Sequence, residues 1–199
     1  HSQAPNIQLR ANILKRKSLL LLGLVTLFIF PLPTFVGLYF LEGTTPFELM
    51  QFNKMGLYPI ALGIEVGMLY AVFALSFMAA PVFQKLPTRI ETILAKMNLN
   101  VWHCLFLSLC AGIGEELLFR SGIQLYLGPI ITSIVFVAIH GYLNPWNWRF
   151  SLYGIIVLPF IFLLSYAFEE FGLWFCIGAH FSYDFVLFYI ITHPILKKQ

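Results

Sequence analysis

The chain has 199 residues, of which 59% are hydrophobic and only 11% charged, and its mean hydropathy is +0.83. Ordinary soluble domains carry about 25% charged residues, so this composition excludes a soluble globular enzyme and reads as an integral membrane protein. The net charge of +3 gives no ground for nucleic-acid binding, and 21 Phe, 9 Tyr and 4 Trp fit a membrane chain.

The opening HSQAP lacks an initiator Met and reads as an expression remnant within a cytoplasmic segment 1–17. Six apolar stretches follow, at about 18–41, 57–83, 99–120, 122–142, 150–168 and 171–192. Each is long enough, or nearly so, to cross a bilayer, which takes roughly 20 residues. None shows period-2 alternation, so each is predicted to be a helix. The predicted fold is all-α: a polytopic integral membrane protein of about six transmembrane helices, with its active site inside the helical core. Residues 18–98 form two accessory helices and a loop, 99–192 a four-helix core, and 193–199 a cytoplasmic tail. Pro31 and Pro33 should kink the first helix and Pro159 the fifth. The first stretch is too long for a signal-peptide core. Cys104, Cys110 and Cys176 all lie in apolar runs and read as small buried hydrophobes rather than a disulfide framework.

Basic residues set the orientation. With a cytoplasmic N-terminus, the inside carries Arg10, Lys15, Arg16, Lys17, Lys85, Arg89, Lys96, Arg149, Lys197 and Lys198, and the outside only Lys54 and Arg120. This bias favours both termini inside. Trp102, Trp146 and Trp148 then mark the inner interface and Trp174 the outer one. NPWNW at 144–148 reads as an interfacial turn.

Few ionisable residues lie within the apolar runs: Glu65, Glu115, Glu116, His140, His180 and Asp184. Each costs about 2.5–3.5 kcal/mol on insertion scales, so each is a functional-site candidate by default. Glu116 and Arg120 are four apart, acid first, the favourable order for a helical ion pair. Phe136 and His140 share a helix face, as do His180 and Asp184. The LGP at 127–129 should end the third helix and start the fourth. Glu115 and His140 then both lie roughly 18–20 Å from that turn, and His180 and Asp184 roughly 12–18 Å below the same surface. Four polar side chains from three helices can therefore converge in one intramembrane layer. Taken singly, each has a plainer reading: a solvated helix end, a hydrogen-bonded core histidine, or interhelical glue. Glu65 has no evident partner and receives no role. His103 and His193 read as interfacial.

The ordered patterns Glu115-Glu116-x-x-x-Arg120, Phe136-x-x-x-His140 and His180-x-x-x-Asp184 resemble the three motifs of the CPBP family. This is the CAAX protease and bacteriocin-processing family of intramembrane endopeptidases, also called ABI. The resemblance covers roughly residues 99–192. It implies that Glu115 is the general base, that His140 helps to orient the attacking water, and that His180 and residue 184 face the scissile carbonyl. Glu116 with Arg120 would be a structural pair near the helix end, leaving Glu115 free for chemistry, with Phe136 supporting. The stretch from Arg120 to Pro129 is shorter and less basic than expected for the family. Asp184 stands where its prenyl-protein proteases typically have Asn. Both departures argue against a prenylated CaaX substrate and for a bacterial-type member acting on another membrane-associated peptide. An ionised Asp184 would repel an oxyanion, so it is expected to hydrogen-bond His180 and keep that ring a donor.

No HExxH pattern is present, and the expected reaction uses no cofactor. A zinc-dependent version would use Glu115, His140 and His180 as ligands. The competing class is a non-catalytic immunity or scaffold protein. A transporter would be expected to show internal repeats or paired broken helices, and neither is visible. The expected partners are a membrane-associated protein or peptide substrate and the lipid bilayer.

Overall fold

The computed structural model describes residues 4–81, 97, 99–146 and 148–193. Lys85, Arg89, Lys96, Lys197 and Lys198, on which the orientation argument leans, lie outside them, as does the end of the stretch 57–83. The side chains of Arg10 and Arg149 are likewise not described. The described residues are helical with no strands, and five helical runs are long and apolar enough to cross a membrane.

The chain enters through α1 (Ala4–Phe28) and, after a break at Ile29–Phe30, α2 (Pro31–Glu42). The break falls where expected, because Pro31 has no amide hydrogen to donate; Phe30 N–H instead reaches back to Val25 O. A short α3 (Pro46–Leu49) begins with a capping box in which Thr45 and Glu48 exchange hydrogen bonds. Those bonds to Thr45 hold the exposed Glu48 carboxyl below its ordinary range. Next come a 3-10 turn (Phe52–Lys54) and α4 (Leu57–Met78). After the undescribed stretch the chain continues as α5 (Val101–Leu118), a π-helical turn (Phe119–Ile123), α6 (Gln124–Ile139), α7 (Trp148–Phe171) and α8 (Leu173–Thr192). Pro159 lies inside α7, whose helix runs on through it.

The split of the apolar stretches at 121 and the placement of Arg120 outside require correction, while the break expected at 127–129 is present. Helix continues through 121 as the π turn, so Arg120 is neither at a helix end nor in an outer loop; it is 1% exposed. The break comes at Gly128, whose φ of 71° and ψ of 171° are open only to glycine, and Pro129 restarts the helix. The chain reverses there, since Glu115 and His140 touch although 25 residues of straight helix would separate them by roughly 37 Å. The returning limb, 129–139, spans about 16 Å and covers only half a bilayer, so the fourth span is a half-helix.

Two features position the site. α4 lies along α8 with Gly63, Gly67 and Ala71 buried, and a side chain on Gly67 would collide with Ala179 O and Ser182 Oγ. This is a small-residue seam of the kind that lets membrane helices approach closely. The loop before α4 also clips the start of α8. Gln51, in a left-handed conformation, accepts the Leu173 N–H at 2.9 Å, and Trp174 Nε1 donates to Met50 O at 2.9 Å. The core between α4, α6, α7 and α8 holds Val137, Phe160, Leu164, Cys176 and Tyr183. All three cysteines are buried and free, as expected. Trp102, Trp146 and Trp148 are exposed, and Asn144 Oδ1 accepts the Trp146 N–H to close the turn.

Candidate active site

Glu115 and Glu116 sit on the last turns of α5, about 100° apart around the helix, and face different neighbours. Glu116 and Arg120 are fully buried. Arg120 Nε meets Glu116 Oε2 at 3.0 Å, and the guanidinium carbon lies 5.6 Å from the centre of the Phe136 ring. The other Glu116 oxygen, Oε1, contacts His180 Nδ1 at 2.7 Å. Glu116 is thus bound to α8 as well as to its own helix, a second tie that sequence spacing did not show.

His180 projects from the middle of α8 with carboxylates at both ring nitrogens. Its Nε2 lies 3.3 Å from Asp184 Oδ2 and 3.7 Å from Glu115 Oε2. The contacts to Glu116 and Asp184 are both hydrogen bonds only if each ring nitrogen carries a hydrogen, or if Asp184 carries one. Arg120, Glu116, His180 and Asp184 therefore form a continuous chain of charge contacts, with the His180–Glu116 hydrogen bond at its centre. Buried charges are tolerated when linked in this way.

His140 caps the end of α6. Its Nδ1 approaches Phe136 O at 2.7 Å, taking up one of the carbonyls that a helix leaves unpaired at its C-terminus. Donation from Nδ1 turns Nε2 towards Glu115 Oε2, 3.4 Å away. Phe136 stacks on the His140 ring at 4.5 Å and meets the His180 ring edge-on at 5.8 Å. Exposure is graded across the cluster. Side-chain values are 30% for His140, 22% for Asp184 and 12% for Glu115, against zero for Glu116 and Arg120. The open edge is made by Glu115, His140 and Asp184, and the Glu116–Arg120 pair closes the back.

All seven residues singled out from the sequence are in this one cluster. Glu65 is not: it is exposed on the side of α4 turned away from the α8 seam. Sequence reasoning missed Gln124, which is buried and donates to Ser165 O at 2.8 Å. Its place one turn beyond Arg120 in the series 116, 120, 124 was a usable signal. It also missed Tyr142, whose ring stacks on His140.

The fold and cluster define a multi-pass membrane protein with an intramembrane acid–histidine centre. Residues 97–186, which contain the whole cluster, match the family model described as type II CAAX prenyl endopeptidase, Rce1-like, so this segment is similar to that family. An 89-residue stretch is 37% identical to YpbD of Bacillus subtilis (strain 168), an uncharacterized protein. That match covers 44% of this chain and 44% of YpbD, so the alignment spans under half the length of the relative. No solved structure matches the chain.

Proposed function

We propose that this protein is an intramembrane endopeptidase of the glutamic type. It would hydrolyse a peptide bond near a membrane-associated, C-terminal segment of a protein or peptide precursor, in a bacterial cell membrane with both termini cytoplasmic. The observation that carries the reading is the Glu115–His140 pair, 3.4 Å apart at the open edge of an otherwise sealed cluster. Water between these groups loses a proton to Glu115 as it attacks the scissile carbonyl. His140 orients the water through Nε2. The oxyanion that forms faces His180: Nδ1–H stays on Glu116, and Nε2–H, loosely held by Asp184 at 3.3 Å, is shared with the oxyanion as it develops. Preorganised donors of this kind are worth about 2.7–4 kcal/mol each. The proton on Glu115 then passes to the leaving amine, so the base of the first step is the acid of the second. Asp184 in the place of Asn, and the short link from Arg120 to Pro129, favour an unprenylated peptide.

The reaction is read as metal-free.

The test is cleavage of a peptide library spanning membrane-proximal C-terminal segments, by wild type and Glu115→Ala, with and without a chelator. Cleavage that survives the chelator and vanishes in the variant supports the proposal. Loss with the chelator and return with zinc replaces it with a metalloprotease. Cleavage unaffected by Glu115→Ala removes the assigned base. No cleavage by wild type favours the non-catalytic alternative.

A further inference from the structure

Beyond the three motifs, one side chain is built against the reactive edge. Gly141 has φ of 78°, a left-handed turn that folds the chain back immediately after α6. Tyr142 is thereby laid on the ring of His140, with centroids 6.0 Å apart and planes within 9° of parallel. Its own position is set by α7. The Tyr153 ring meets it edge-on at 4.8 Å, and Gly154 lies so close to the Tyr142 backbone that a Cβ there would collide with the Tyr142 carbonyl oxygen. Tyr142 thus stands between His140 and a long, rigid helix.

His140 needs such support. It caps the end of a half-helix, followed by irregular chain, and its side chain is the most exposed of the cluster. The hydrogen bond from Nδ1 to Phe136 O orients one ring edge, and Phe136 covers ring surface from the preceding turn. Both come from α6 itself, and the contact from another element at the ring edge is Glu115 of α5, 3.4 Å from Nε2. Tyr142 adds a tie on the ring face, connecting the imidazole to α7.

We propose that Tyr142 is a positioning residue for His140: its ring, rather than its hydroxyl, fixes the imidazole so that Nδ1 stays on Phe136 O and Nε2 stays aimed at Glu115. The assignment of a catalytic role to His140 rests on the protease reading; the stacking and its effect on the imidazole do not. Misplacement of a reacting group by 1 Å can cost about 100-fold in rate.

The test pairs Tyr142→Phe, which keeps the ring, with Tyr142→Leu and Tyr142→Met, which remove it. Two readouts are used: kcat and KM on a cleaved peptide, and the 15N shifts of labelled His140, assigned by comparison with His140→Gln. Tyr142→Phe is expected to retain wild-type kcat and a single Nδ1–H tautomer. The Leu and Met variants are expected to lose about 10- to 100-fold in kcat with KM nearly constant, and to show mixed tautomers. Either of the two is sufficient if the other does not fold. Leu and Met variants with wild-type kcat and an unchanged tautomer would overturn the proposal. So would a Tyr142→Phe variant as impaired as the Leu variant, since the hydroxyl would then be the functional group. If wild type cleaves no peptide, the protease reading fails by itself, and the 15N shifts still decide whether Tyr142 governs the His140 ring.

Discussion

Glu116 on α5 and His180 on α8 are 64 residues apart in sequence and meet at 2.7 Å, with Arg120 held on the opposite carboxylate oxygen. One buried carboxylate therefore joins two helices and orients the imidazole assigned to the carbonyl side of the site. Its neighbour Glu115 is left at the open edge.

This divides the two glutamates by consequence. Glu116→Leu strands a fully buried guanidinium and should destabilise the protein by about 3–5 kcal/mol. Adding Arg120→Met should recover most of that loss, since a buried ion pair can often be replaced by apolar groups of similar volume. Activity should not return, because His180 Nδ1 then has no acceptor. Thermal unfolding in detergent and the peptide assay, applied to both variants, check the two halves. A double variant no more stable than Glu116→Leu would count against the pair as the source of the loss.

Glu115→Gln should behave in the opposite way. The carboxylate is partly exposed and carries no structural ion pair to Arg120, so the unfolding midpoint should change little. General acid–base groups contribute typically about 100- to 10,000-fold, and kcat should fall within that range. A large loss of stability with residual activity would reverse the roles of the two residues.

Gly67→Val tests whether the site depends on the seam between α4 and α8. The added side chain has no room beside Ala179 O and Ser182 Oγ, which flank His180. Overpacking of this kind costs about 1–3 kcal/mol, or more where backbone must move. Both the midpoint and kcat should drop, whereas Val at Gly37, with nothing within 4 Å, should leave kcat unchanged.

Gly128→Ala isolates the reversal. No atom lies within 4 Å of the position a Cβ would take, so the penalty is conformational alone. A residue forced into this region of backbone space costs about 1–3 kcal/mol. The variant should melt earlier and lose activity, because the half-helix carrying His140 starts at the next residue. Wild-type stability would mean that the turn tolerates another geometry.

Much of the site was legible because its evidence is local. A charged residue inside an apolar run is visible in the string, and helical spacing of four puts Glu116 with Arg120, Phe136 with His140 and His180 with Asp184 on common faces. The Gly128–Pro129 step was readable as a reversal for the same reason. From it followed the matched depth of Glu115 and His140, now seen as a 3.4 Å contact. What was misread was also local in origin. Hydropathy shows where a chain is apolar but not whether the helix stops at a polar gap, so the apolar stretches were split at 121 and Arg120 was assigned to a helix end, although the helix break itself was expected at LGP 127–129. Chain continuity through the π turn buries Arg120 instead.

By itself, then, the sequence determined the class of the protein, the presence and helical character of its apolar spans, the polar layer and the family motifs, since composition and helical periodicity are properties of short segments. Only the tertiary structure decided that Glu116 binds His180, that Glu115 is the less buried of the two adjacent acids, that the fourth span is a half-helix, and that Tyr142 leans on His140 with α7 behind it. Those facts depend on how α4, α5, α7 and α8 are packed against one another. Packing is set by close approach at Gly67 and Gly154 and by the shape of the buried core, and no spacing along the chain encodes it.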